Sequence, residues 1–119
     1  MEPKQPRNNP ERIIQDALKK YLEERGWFVN ETHGNMFQSG FPDLYATHLQ
    51  YGQRWIEVKN PENYKFTNAQ IQCFTKWSGC GVKIWVLIAA TPAEYAKLFR
   101  EPNWHEYLSC TKVITRPRK

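Results

Sequence analysis

No apolar run in the sequence approaches the length that crosses a bilayer, and the opening Met-Glu-Pro-Lys-Gln-Pro-Arg lacks the apolar stretch of a secretory leader. The expectation is an intracellular protein, in a cytoplasm or around a nucleoid, with no membrane partner. Cysteine is scarce: Cys73, Cys80 and Cys110 are odd in number and include no CxxC pair. That spacing excludes a disulfide framework and a zinc ribbon and leaves reduced, structural thiols. His33, His48 and His105 are scattered without an HxxxH spacing, so a histidine-based zinc site is excluded too. Acidic residues are the minority charge, 12 against 17 basic, for a net charge of +5. No internal repeat or low-complexity segment is present.

What is there suits one ordinary domain. The chain has 119 residues, of which 40% are hydrophobic and 14% aromatic, enough for a single packed core and too few for two. Basic residues bracket it, with Lys4, Arg7 and Arg12 near the start and Lys112, Arg116, Arg118 and Lys119 at the end. A basic balance points to a polyanionic partner, nucleic acid being the commonest, although charged ends can also serve solubility alone.

Residues 1–9 carry prolines and asparagines without periodicity and read as a flexible basic arm, leaving 10–119 as the domain. Pro10 suits a first helical turn, and Ile13, Ile14, Ala17, Leu18, Tyr21 and Leu22 recur at helical spacing up to Gly26. Trp27-Phe28-Val29 reads as a strand, followed by a loop over 32–40. Leu44–Thr47 and Arg54–Val58 read as a hairpin turning near Gln50-Tyr51-Gly52. Thr67 or Asn68 caps a second helix that stops at Gly79 and Gly81. Lys83–Ile88 is the most apolar strand, Thr91-Pro92-Ala93-Glu94 opens a short helix to about Phe99, and Lys112–Thr115 has the composition of an edge strand. The order αβββαβα predicts an α/β sandwich around a small mixed sheet.

The chemistry lies in the hairpin. Along Trp55-Ile56-Glu57-Val58-Lys59 alternate side chains face opposite ways, so Ile56 and Val58 can enter a core while Trp55, Glu57 and Lys59 share the other, polar face. Closing the hairpin about Gln50 sets Tyr45 opposite Trp55 and Asp43 opposite Glu57. Two carboxylates so placed resist joint ionisation and call for a cation, and oxygen donors of this kind suit a hard divalent metal. A metal at Asp43 and Glu57, with the carbonyl of Val58 as a further ligand, would polarise a phosphodiester, and Lys59 would orient or deprotonate the attacking water. A Pro-Asp followed at suitable distance by ExK occurs in roughly one random chain in a hundred at ordinary residue usage. The bland alternative is a turn aspartate and a cross-strand Glu–Lys pair.

Gly40-Phe41-Pro42-Asp43-Leu44, then Ile56-Glu57-Val58-Lys59, then Thr67-Asn68-Ala69-Gln70, resemble the VRR-NUC branch of the PD-(D/E)xK nuclease superfamily, in its small standalone form typical of viruses and phages. Glu11 with Gln15 on the first helix fits the same pattern, so the resemblance runs from Glu11 to about Leu87. It implies a restriction-endonuclease-like fold with an αβββαβ core and a Mg²⁺- or Mn²⁺-dependent endodeoxyribonuclease. Asp43 and Glu57 would be metal ligands and Lys59 the catalytic lysine. Glu11 would reach the metal, directly or through water, and Gln70 would support the site or a phosphate. Residues 35–39, Asn-Met-Phe-Gln-Ser, depart from the family in having less glycine and basic character.

The expected substrate is DNA, with branched DNA such as Holliday junctions preferred and a homodimer as the active unit. Tyr95, Leu98, Phe99, Trp104, Tyr107 and Leu108 are the candidates for the dimer face, unless they fold back over the sheet. Phe37, Tyr45, Trp55 and Tyr64 could stack on unpaired bases, with packing the commoner role for any one of them. The rivals are a restriction-type duplex nuclease, a catalytically silent nucleic-acid-binding module and a structural subunit that binds no metal.

Overall fold

The computed structural model describes residues 9–32, 40–62 and 64–107. The first helix, α1 (Pro10–Glu23), starts where Asn9 accepts a hydrogen bond from the Arg12 backbone at 3.2 Å, with Pro10 in the first turn. Strands β1 (Phe28–Glu31), β2 (Leu44–His48) and β3 (Gly52–Val58) follow, then α2 (Asn68–Gly79), β4 (Ile84–Leu87) and α3 (Pro92–Tyr95). A 3-10 turn over Ala96–Phe99 and a final helical turn over 104–107 complete the described chain. No helix among the described residues is long and apolar enough to cross a membrane.

The sheet runs in the order β1-β2-β3-β4. Its first three strands are antiparallel, and β4 lies parallel to β3 after the crossover through α2. This is the mixed α/β sandwich that the element order predicts. The hairpin register is also as expected, with Tyr45 opposite Trp55 and Leu44 opposite Ile56. Strand β1 begins one residue later than the periodicity suggests. The Trp27 N–H is still engaged by the Leu22 carbonyl at 3.1 Å, closing the end of α1, and Gly26 takes the positive φ (91°) that this exit needs. The final expected helix splits in two, because the α-turn capped by Thr91 tightens into 3-10 geometry after Tyr95. The expected strand at 112–115 and the arm over 1–8 lie outside the described residues.

Two cores flank the sheet. Ile14, Leu18 and Leu22 of α1 pack with Leu44, Ala46, Ile56, Val58, Trp85 and Leu87 on one face. On the other, Phe66 and Phe74 pack with Ile84, Val86 and Trp104, and Trp55, Ile71 and Trp77 border them. The polar face expected for Trp55, Glu57 and Lys59 is therefore covered: Glu57 is 2% exposed and Lys59 6%. Strand alternation separates the faces correctly but does not show that α2 closes over the second.

A further correction concerns the C-terminal apolar residues. Tyr95, Leu98 and Trp104 are buried in the chain's own cores, Tyr107 packs against the second, and only Phe99 is well exposed. They cover the sheet, which a small domain needs, and do not form a surplus patch. Leu108 lies outside the described residues. The same segment seals the outer edge of β4. The Asn103 side chain accepts from Val86 N–H at 2.7 Å and donates to the Val86 carbonyl at 3.2 Å, and Ile88 N–H donates to Glu94 Oε1 at 3.1 Å.

Candidate active site

Asp43 stands just before β2 on a short, tightly held approach. Pro42 is fully buried. The Thr32 hydroxyl donates to the Pro42 carbonyl, and the Thr32 N–H donates to the Asp43 carbonyl at 2.9 Å. Gly40 has φ 90°, and a β-carbon there would stand 2.5 Å from the Ala69 carbonyl oxygen in the first turn of α2. Only glycine lets the loop approach α2 this closely. Gly40→Ala is expected to lower stability by on the order of 2–4 kcal/mol, since the clash adds to the positive φ, and urea unfolding measures it. A midpoint unchanged from wild type would show that the loop is not held there.

From this position Asp43 Oδ2 accepts the Val58 N–H at 2.8 Å, which ties the aspartate to β3 between Glu57 and Lys59. Glu57 Oε2 accepts from Lys59 Nζ at 3.1 Å and from Gln70 Nε2 at 2.7 Å. Gln70 Oε1 accepts from Lys59 Nζ at 3.0 Å and from Thr67 N–H at 3.0 Å. The Thr67 hydroxyl in turn accepts from Gln70 N–H, so one amide completes the capping box of α2 and holds both charged groups. Lys59 Nζ also donates to the Lys65 carbonyl at 2.6 Å and lies 4.6 Å from the centre of the Phe66 ring.

Glu57 carries the unusual electrostatics. Burial pushes its carboxyl up to about 8, Asp43 pushes in the same direction, and Lys59 and Gln70 oppose both. Its Oε1 is buried without a hydrogen-bond partner. Glu11 approaches from α1: its Oε2 accepts the Asn60 N–H at 3.0 Å, fastening the first turn of α1 to the chain just beyond Lys59. No group of three or more His, Cys, Asp or Glu side chains able to hold a metal is gathered among the described residues, so the carboxylates brought together are Asp43 and Glu57. Gln15, one turn after Glu11, is buried with its Oε1 likewise unmatched.

A solved structure described as "VRR_NUC domain" superposes with a TM-score of 0.59 at 25% identity, covering 68% of this chain and 86% of that one. The chain has the fold of a VRR-NUC domain. No family model matches the sequence, and no curated protein matches it. In this VRR-NUC fold, which is of nuclease type, the central hairpin and the N-terminus of α2 supply every member of the cluster. Of the residues singled out in the sequence, Asp43, Glu57, Lys59 and Gln70 meet. Glu11 reaches the neighbouring backbone, Tyr64 packs on Tyr107 with ring centres 5.5 Å apart, and Phe37 lies outside the described residues. Thr32 and the Lys65 carbonyl were not foreseen. A threonine after a strand and a main-chain oxygen carry no sequence signal.

Proposed function

We propose that this chain of VRR-NUC fold is a metal-dependent DNA endonuclease that hydrolyses phosphodiester bonds at Asp43, Glu57 and Lys59. The observation that carries the reading is the buried Glu57 carboxylate, which faces Asp43 with one oxygen left without a donor. A buried carboxylate in that condition either holds a proton or holds a cation. The Asp43 and Glu57 carboxylate oxygens, with the Val58 carbonyl as a third donor, would suit Mg²⁺ or Mn²⁺. Bound there, the ion would supply Lewis acidity toward the phosphoryl oxygens. Asp43 would contribute through a side chain already positioned on the Val58 amide, and Glu57 through Oε1, because Oε2 is committed to Lys59 and Gln70. Glu11, anchored on Asn60, would act through an intervening water.

Lys59 supports the rest of the chemistry. Its ammonium sits between Glu57 and Gln70, where it can orient the attacking water and offset the charge that builds on the phosphorane oxygens. Gln70 sets the direction of that ammonium from the rigid start of α2. A silent binding module would gain nothing from a buried carboxylate set beside a second one.

The preferred substrate is branched DNA, cut by a homodimer, because paired incisions on opposed strands need two symmetry-related sites. Light scattering at micromolar concentration tests the dimer. A cleavage assay with single strands, duplex, flaps and four-way junctions tests the activity, using Asp43→Asn as control. Mg²⁺ or Mn²⁺ should support cutting, Ca²⁺ should support it poorly, and EDTA should abolish it while leaving the fold intact. Undiminished cutting in excess EDTA, or by the Asp43→Asn protein, would overturn the proposal.

A further inference from the structure

The alternation that puts Glu57 on the α2 side of β3 puts Trp55 there too, two residues back and about 7 Å along the strand. Tyr45, its cross-strand partner, lies with ring centres 4.3 Å apart. Trp77 of α2 is 4.8 Å from Trp55, and Phe41 stands 6.2 Å from Trp55 and 4.8 Å from Trp77. All four rings are half-buried. The other tryptophans are not: Trp27, Trp85 and Trp104 are only 3–5% exposed. Trp55 also walls a cavity of about 400 Å³, lined with Gln53, Cys80, Val82 and the exposed Lys83. That volume falls within the range of small-ligand pockets, roughly 300–1,000 Å³.

We propose that this cavity, walled on one side by Trp55, receives an unpaired nucleotide adjoining the phosphodiester at the Asp43–Glu57 site. The inference rests on the nuclease reading and names the substrate class within it: DNA with a single-stranded or splayed nucleotide beside the cut. A flat indole face next to a cation and an amide suits a base with its phosphate, whereas a purely apolar ligand would leave Lys83 and Gln53 without a role. The step along β3 from Glu57 to Trp55 is of the size that separates a phosphate from the next base in an unstacked strand. A base within a duplex is held in its stack and does not reach the cavity unless it is extruded. Stacking on aromatic rings tolerates any base, so the selection is for strand structure and not for sequence.

The test is binding of a short oligothymidylate in EDTA, followed by tryptophan fluorescence. The three tryptophans outside this cluster are shielded, so quenching reports Trp55 and Trp77. Saturable quenching is expected in the wild type. Trp55→Leu should lose most of it and bind the oligonucleotide about tenfold more weakly, the order of one base-stacking contact. Binding of a blunt duplex should be unchanged. Trp55→Phe, which keeps an aromatic ring in the packing, should lose most of the quenching and retain most of the affinity, so the result survives if the leucine variant folds poorly. Oligothymidylate that binds without quenching, or unchanged quenching in the phenylalanine variant, would overturn the inference. Mg²⁺-dependent cutting of duplex without such quenching would remove this inference alone. Quenching without any cutting would instead remove the nuclease reading.

Discussion

Cleavage by the Lys59→Met protein is expected to fall by roughly 10²–10⁴-fold, the range for a positioned proton-transfer or charge-stabilising group. Methionine keeps the length of the side chain and its contact with Phe66 but removes the ammonium. Two things follow from that one loss. The water and the developing phosphoryl charge lose their cationic neighbour, and Glu57 Oε2 loses a 3.1 Å ion pair. With Lys59 gone, burial and Asp43 act on Glu57 almost unopposed, and its proton is held still more tightly. The variant should therefore need a higher pH or more Mg²⁺ to load metal, while its DNA affinity stays near that of the wild type. Single-turnover rates across Mg²⁺ concentration separate the two effects: saturating metal restores loading and leaves the rate low. A wild-type rate at saturation would place the catalytic lysine elsewhere.

Metal-free protein should lose stability, on the order of a few kcal/mol, as the pH rises from about 5 to about 8. The sign comes from Glu57. Its carboxyl sits at about 8 in the folded chain against an ordinary 4.5, so across this window the native state keeps a proton that the unfolded chain has released. The contribution is complete below the unfolded value and is lost as the pH climbs through the folded one. Glu57→Gln should flatten the profile, because glutamine has no proton to release. Mg²⁺ or Mn²⁺ should stabilise the wild type more at the alkaline end, where the ion displaces no proton. Urea midpoints in EDTA, for both proteins at each end of the window, decide this. Parallel profiles would mean that the Glu57 carboxyl is ionised without cost where it lies.

Both expectations depend on residues that stand out in the amino-acid sequence alone. Asp43, Glu57 and Lys59 are legible because a strand has a period of two and a tight hairpin has a centre. Once the turn is placed near Gln50, Tyr45 must oppose Trp55, and Asp43 is carried to Glu57. Gln70 is singled out only by the family resemblance, and the Thr67 capping box that fixes its direction emerges from the fold. The depth of the site is not legible. Nothing within Trp55–Lys59 reveals that Phe66, Phe74 and Trp77 will close over it, because the cover comes from the segment leading into α2 and from α2 itself, later in the sequence. For the same reason Thr32 escapes notice: its hydroxyl acts on the Pro42 carbonyl, ten residues on in the sequence. Glu11 falls between these cases, since its place in a first turn fits the helix dipole equally well and its contact with Asn60 is purely tertiary.

The amide of Asn103 gives Val86 one donor and one acceptor, as a neighbouring strand would. The strand it guards, Ile84-Trp85-Val86-Leu87, is uniformly apolar, rich in β-forming residues and uncharged, the composition that adheres edge to edge with copies of itself. Colloidal behaviour therefore hangs on residues 100–107, remote from the chemistry. Fraying of that short stretch, with the catalytic hairpin still intact, would uncover a sticky rim, and heating should bring turbidity before the native sheet dissolves. Shelf life is thus governed at the edge strand of the sheet and turnover at its central hairpin.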